Sequence, residues 1–182
     1  MTSHLPIPAR PRPALLALAL ALALGLALLG ADSSQAQDVL KRSVNPRASI
    51  PIATAVSVPA SAELVFFSGV LPQPVKADAP AGSTERYGDT QTQALSVLKT
   101  LQANLAAEGL GFGDVVSVRV FLVGDPAKDN KLDFGGFNAA FAQFFGTPEQ
   151  PGRPVRTALQ VSALPAPGAL VEVDLIAARL RK

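Results

Sequence analysis

Apolar and polar positions along the chain fall into seven periodic stretches, and their order predicts the architecture. Ile52–Val58 and Glu63–Ser68 read as strands joined by a short turn, Pro59–Ala62. The second of these is almost entirely apolar, which suggests a central strand buried on both faces. Leu71 to about Gly88 is rich in Pro, Asp and Gly and reads as a loop. A helix is expected from Thr90, whose hydroxyl with Gln93 fits a capping box. Leu95, Leu98, Leu101 and Leu105 form its apolar stripe, and Gly109 stands past its last turn. Asp114–Val123 is the clearest strand, with Val116, Val118, Val120 and Leu122 on one face and Ser117, Arg119 and Phe121 on the other. A second helix is expected from an Asp133 N-cap to Gly146, with Phe137, Ala140, Phe141 and Phe144 at helical spacing as core.

The chain then returns to period two. Val155, Thr157, Leu159 and Val161 share one face, with Arg156, Ala158 and Gln160 on the other. Val171, Val173 and Leu175 alternate with Glu172, Asp174 and Ile176. The Pro/Gly loop Ser162–Gly168 between the two runs suggests an antiparallel hairpin. In that hairpin Arg156 falls opposite Glu172 or Asp174 on a shared face, as a cross-strand ion pair or as the floor of an anion-binding site. The order β-β-α-β-α-β-β specifies an α+β domain, a mostly antiparallel sheet with two helices on one face. The other face is left uncovered, so association with further copies is expected. Arg119, inside a strand, needs water or a partner.

The beginning of the chain has a different pattern. Residues 14–30 are an unbroken Leu/Ala-rich run preceded by Arg10 and Arg12 and followed by Ser34-Gln-Ala36. This is the layout of a secretory signal peptide cut after Ala36; a retained membrane anchor is the other reading of such a run. The expected organisation is a signal peptide over 1–36, a flexible lead-in over 37–49 and one domain over 50–182. The cleaved protein would be periplasmic or secreted, and free of the membrane. Cleavage leaves roughly 150 residues, enough for one core.

Composition narrows the chemistry. The 182 residues contain no Cys and a single His, His4, which departs with the signal. Neither a Ser-His-Asp nor a Cys-His mechanism can then be assembled, nor an ordinary zinc site, and no disulfide can form. The formal net charge of +2 falls close to neutrality on cleavage, too balanced for nonspecific nucleic-acid binding. No Gly-rich phosphate loop is present. Chemistry rests on Arg, Lys, Asp, Glu, Ser, Thr, Asn and the lone Tyr87.

Five stretches, taken together, carry a family resemblance. Pro154-Val-Arg156-Thr-Ala and Val171-Glu-Val-Asp-Leu-Ile-Ala-Ala are similar to the C-terminal signature of the reactive intermediate deaminase (RidA/YjgF) family. Val65-Phe-Phe-Ser-Gly69, Gly113–Leu122 and Phe137–Phe145 agree with it in order and spacing. The resemblance spans nearly all of the chain after about residue 50. It implies a chorismate-mutase-like protomer and a homotrimer with sheets around a central barrel and three clefts between subunits. It also implies hydrolysis of 2-imino or 2-enamino acids to 2-oxo acids and ammonia. In that reading Arg156 clamps the substrate carboxylate, Glu172 positions or activates water, and Ser68 and Asn138 line the cleft. Without the resemblance, Ser68 reads as a strand-end hydroxyl and Asn138 as a helix-surface amide. An imine is already an activated electrophile, so no metal, cofactor or covalent nucleophile is implied.

The sequence departs from the family pattern at three positions. Ala55 stands where an aromatic hydroxyl is common, Ala158 where a small thiol is common, and Val70 where a polar residue follows Ser-Gly. Tyr87 is a candidate to replace the missing hydroxyl. These losses, and the expected export, leave a second function open: a noncatalytic, carboxylate-binding or chaperone-like trimer using the same clefts.

Overall fold

The computed structural model describes residues 39–180; the apolar run and the expected cleavage site lie outside them. The elements are β1 (Lys41–Ser43), β2 (Ala55–Ser57), β3 (Glu63–Val70), α1 (Thr90–Ala107), β4 (Val115–Val123), α2 (Phe134–Phe141), β5 (Val155–Val161) and β6 (Val171–Arg179). This is the expected α+β order preceded by one more strand, β1, in the stretch expected to be a lead-in. β1 pairs antiparallel with β2 in a two-stranded sheet of their own. The Arg42 guanidinium fixes β1 to the domain, donating to the carbonyls of Val115 at 3.0 Å, Arg153 at 2.7 Å and Gly113 at 2.6 Å. A charged fork on three carbonyls gives order to a segment whose side chains show no periodicity.

The main sheet has the order β3-β6-β4-β5, with β6 antiparallel to β3 and β4, and β5 parallel to β4. The expected β5–β6 hairpin does not form, because β4 lies between them. The reason is the helix placed between β4 and β5. A β-α-β connection carries the chain across a sheet face and lays the next strand parallel to the first. β5 therefore takes the edge beside β4. Residues 162–170 then lead into the slot between β3 and β4, where β6 is buried along most of its length. β3, expected at the centre, is the other edge of this sheet, and its Phe66 is 71% exposed.

Both helices cover one face. Ala94, Val97, Leu98, Leu101 and Leu105 of α1 and Phe137, Ala140 and Phe141 of α2 are fully buried over Val118, Val120, Leu122, Val171, Val173 and Leu175. Each Val, Leu or Phe among them contributes roughly 1.5–3 kcal/mol on burial. α2 ends at Phe141, five residues before Gly146. The chain continues in turns that stack Phe145 on Phe141 at 4.4 Å between centroids, and Gly146 closes them at φ +70°.

The first helix begins one residue earlier than its hydroxyl suggests. Asp89 is the N-cap, its carboxylate accepting from the Thr92 amide at 2.8 Å. Thr90 is already helical and buried, and its hydroxyl has no partner. Gln93, also buried, ties the helix start to the loop before β6: its amide donates to Gly88 O at 2.9 Å and accepts from the Leu170 N–H at 2.7 Å. The Thr92 hydrogen bonds hold the Asp89 carboxyl below its usual range. Asp89→Ala is expected to cost about 1 kcal/mol. Because the folded pKa is lowered, that contribution is present above the unfolded value of about 3.9 and disappears as pH falls through the folded value. Thr90→Val, which removes an unsatisfied buried hydroxyl, is expected to leave stability unchanged or raise it. Urea titrations of the two variants check both.

Among the described residues neither helix covers the second sheet face. Register places Phe66, Ile176, Ser117 and Val155 across one row, Asp174, Arg119 and Thr157 across the next, and Glu172, Phe121 and Leu159 across a third. Arg119 Nε donates to Asp174 Oδ1 at 2.8 Å, an ion pair set between two largely apolar rows. Leu64, Phe66 and Leu159 are exposed on this face.

Candidate functional site

Arg156 stands on the helix-covered face of β5, beside Val118 of β4, and its guanidinium passes under α2. There Phe134, Phe137 and Phe141 surround it, with ring centroids 5.4, 5.4 and 4.6 Å from the guanidinium carbon. Nη2 donates to Asn138 Oδ1 at 2.8 Å, and Nη1 is buried without a partner. Burial lowers its pKa to about 10. A guanidinium remains protonated at neutral pH, so the consequence is a charge short of an anion. Cation–π contacts offset part of its desolvation and supply no hydrogen-bond acceptor. Among the described residues no carboxylate pairs with Arg156, so the cross-strand ion pair with Glu172 or Asp174 is absent and Asp174 belongs to Arg119.

Glu172 lies elsewhere. It sits opposite Phe121 on the uncovered face of the sheet. Its carboxylate is seated over Gly69: a Cβ placed on Gly69 would overlap Glu172 Oε1 and come within 3.0 Å of Cδ. The register of β3 against β6 shifts between Phe67 and Val70, so Ser68 and Gly69 occupy the irregular stretch and make room for this contact. Ser68 lines a shallow cleft of about 340 Å³ with Val65, Phe66, Asn104 and Ala107 of α1, and Glu108 just past that helix.

Of the four sequence-derived site residues, Arg156 bonds Asn138, while Glu172 meets Gly69, the chain neighbour of Ser68. Within one chain the sheet separates the two charged groups, and the shared face expected from a hairpin is lost. The sequence reading missed the aromatic surround of Arg156. Its signal was present: Phe134, Phe137, Asn138 and Phe141 stand at i, i+3, i+4 and i+7, one helix face carrying a single polar residue. It also missed Gly69, whose lack of a side chain is required by Glu172. Tyr87 lines a cleft of about 360 Å³ with Ala81, Gly82, Arg86 and Pro167. Ala55 is exposed in β2, and Ala158 is half-buried on the same face of β5 as Arg156. Among the described residues no three His, Cys, Asp or Glu side chains gather as metal ligands.

The arrangement is similar to known proteins over most of its length. The family model described as endoribonuclease L-PSP matches residues 42–179. Protein DfrA of Myxococcus xanthus is 38% identical over 133 residues, 72% of this chain and 88% of that protein. A 2-iminobutanoate/2-iminopropanoate deaminase of Salmonella typhimurium is 33% identical over 116 residues, 64% of this chain and 80% of its own. A solved Rid-family protein of unknown function from Yersinia pestis superposes with a TM-score of 0.58 at 22% identity. That match covers 76% of this chain and 98% of the other and shows a shared fold.

Proposed function

This chain belongs to the RidA/YjgF family, and from that premise we propose that it hydrolyses 2-imino and 2-enamino acids to 2-oxo acids and ammonia. The observation that carries the reading is the orphaned Nη1 of Arg156, a buried charge with no counter-ion of its own. A planar carboxylate supplies what that edge lacks. Of the three rings around it, Phe137 and Phe141 are fully buried and Phe134 is 41% exposed, so Phe134 is the ring that yields to an incoming ligand. A relative of this family is named for deamination of 2-iminobutanoate and 2-iminopropanoate.

The chemistry needs two groups. With the substrate carboxylate on Arg156, water attacks the imine carbon while a carboxylate takes its proton. The carboxylate passes that proton to the imine nitrogen, giving the carbinolamine; the carbinolamine hydroxyl then gives up its own proton by the same route as the carbon–nitrogen bond breaks, so the nitrogen leaves as ammonia and the 2-oxo acid remains. Glu172 is the group for the proton. Because it stands on the sheet face opposite Arg156, the working cleft takes Arg156 and Asn138 from one copy and Ser68, Gly69 and Glu172 from a second. The exposed Leu64, Phe66 and Leu159 give the uncovered face a reason to associate, and the reading specifies a homotrimer with three such clefts. It also includes export, with removal of residues 1–36.

A coupled assay tests the activity. An amino-acid oxidase generates imino acids, and the purified protein is expected to accelerate their conversion to 2-oxo acid. Saturable carboxylate binding without acceleration would replace the enzyme with the noncatalytic binder that Ala55 and Val70 suggest. Gly69→Ala is expected to lower turnover roughly 10- to 100-fold by displacing Glu172, with the Arg156-dependent affinity for a 2-oxo acid retained. Light scattering is expected to return three times the subunit mass, and N-terminal sequencing of exported protein to begin at Gln37 or close to it.

A further inference from the structure

We infer that the chain carries a second binding site, for a small organic carboxylate, in the cleft between the loop before α1 and the loop before β6. The cleft holds about 360 Å³ and is lined by Ala81, Gly82, Arg86, Tyr87 and Pro167. Arg156, Asn138, Ser68 and Glu172 take no part in that lining. The two loops are locked together at their backbones. A Cβ on Gly168 would come within 2.6 Å of Ser83 O and 2.9 Å of Gly82 C, and Gly168 holds φ +86°. Pro167 is thereby fixed opposite Arg86 and Tyr87 by backbone contact alone.

Arg86 supplies the charge. Its Nη1 donates to Ala77 O at 2.7 Å and to Ala79 O at 3.1 Å, and its carbonyl accepts from the Val75 and Lys76 amides. One nitrogen therefore anchors the guanidinium, while Nε and Nη2 donate to no described residue. Its chain neighbour Glu85 is already paired with Lys76 at 2.7 Å, and no carboxylate among the described residues forms an ion pair with Arg86. Tyr87, the candidate replacement for the hydroxyl missing at Ala55, stands here instead. Its hydroxyl bonds no described residue. A guanidinium edge without a counter-ion, next to a phenolic donor, matches the two oxygens of a carboxylate. Ala81 and Pro167 offer the body of the ligand an apolar wall, which an inorganic anion leaves unused.

The chain has one tyrosine and no tryptophan, so its tyrosine fluorescence reports Tyr87 alone. Cyclohexanecarboxylate, which is transparent where tyrosine absorbs, is titrated into the full protein, with acetate and sulfate as comparisons. A saturable fluorescence change is expected, with the same midpoint in wild type and in Arg156→Met. Acetate is expected to bind roughly tenfold more weakly, and sulfate not to compete. Arg86→Gln is expected to weaken binding roughly 10- to 100-fold. Because Arg86 also anchors its own loop, Tyr87→Phe, read by calorimetry, provides the second variant, with a loss of roughly tenfold expected at unchanged melting temperature. A fluorescence change that disappears in Arg156→Met would assign the carboxylate to Arg156 and overturn the second site. No saturable change, full affinity in both Arg86→Gln and Tyr87→Phe, or displacement by sulfate at equal concentration would overturn it as well. None of these results depends on whether imines are hydrolysed, so the deaminase reading stands or falls separately.

Discussion

Arg156→Lys is expected to lower kcat/KM nearly as far as Arg156→Ala does, roughly 30- to 1000-fold, or about 2–4 kcal/mol of transition-state stabilisation. An ammonium can replace the charge but not the planar fork, which must keep one nitrogen on Asn138 Oδ1 and offer another to the ligand. The surroundings sharpen the contrast. Phe137 and Phe141, both fully buried, stack on a flat guanidinium and leave a more strongly hydrated ammonium without its water. Stability should respond in the opposite sense. Removing a buried charge that has no carboxylate partner does not strand a counter-ion, so Arg156→Met is expected to hold or raise the melting temperature while activity is lost. A variant that loses stability and keeps turnover would return Arg156 to a purely structural role. The paired readouts, kcat/KM against melting temperature, separate the two.

The second expected result concerns which copy supplies which group. Glu172→Gln keeps the side chain's shape and removes its basicity. Turnover should fall roughly 100-fold or more, with carboxylate binding retained. Arg156→Ala and Glu172→Gln are each expected to be nearly inactive alone. Co-refolded in equal amounts they are expected to regain about a quarter of wild-type activity, because about one cleft in four then takes Arg156 from one variant and Glu172 from the other. A cleft confined to one chain could not be rescued in this way. Mixed assemblies that stay as inactive as their parents would sink the shared cleft, whatever the subunit count.

Much of the fold was legible because it rests on local periodicity. The valines of β4, the leucines of α1 and the Phe137–Phe141 turn of α2 are fixed to one face by a repeat of 2.0 or 3.6 residues, whatever they pack against. Turn chemistry did nearly as well: Gly109, expected past the end of α1, has φ +69°. Asp133 caps α2 through the Gly136 amide at 2.9 Å. Local rules failed where two adjacent residues offered similar chemistry. Asp89 and Thr90 can both cap, and burial of Thr90 against the core decided between them. β1 was invisible because the interaction that holds it, Arg42 on three distant carbonyls, leaves no trace in its neighbours along the chain.

The site divides along the same line. The sequence by itself named the groups on which the proposed chemistry rests: with no Cys and a single His at position 4, these are an arginine and a carboxylate in two family-like strands. It also determined that Arg156 alternates with Thr157 and Glu172 with Val173. Only the tertiary structure decided whether Arg156 and Glu172 share a face. Alternation orders residues within a strand, but the relation between two strands depends on what lies between them. In an adjacent hairpin the two side chains could meet directly. With β4 interposed, Arg156 aligns with Val118 and Glu172 with Phe121. Those two β4 residues are separated by an odd number of steps, so they point to opposite faces and carry their partners with them. That parity is set by a helix crossover that places β5 at the edge, a long-range choice of partner that no local pattern encodes.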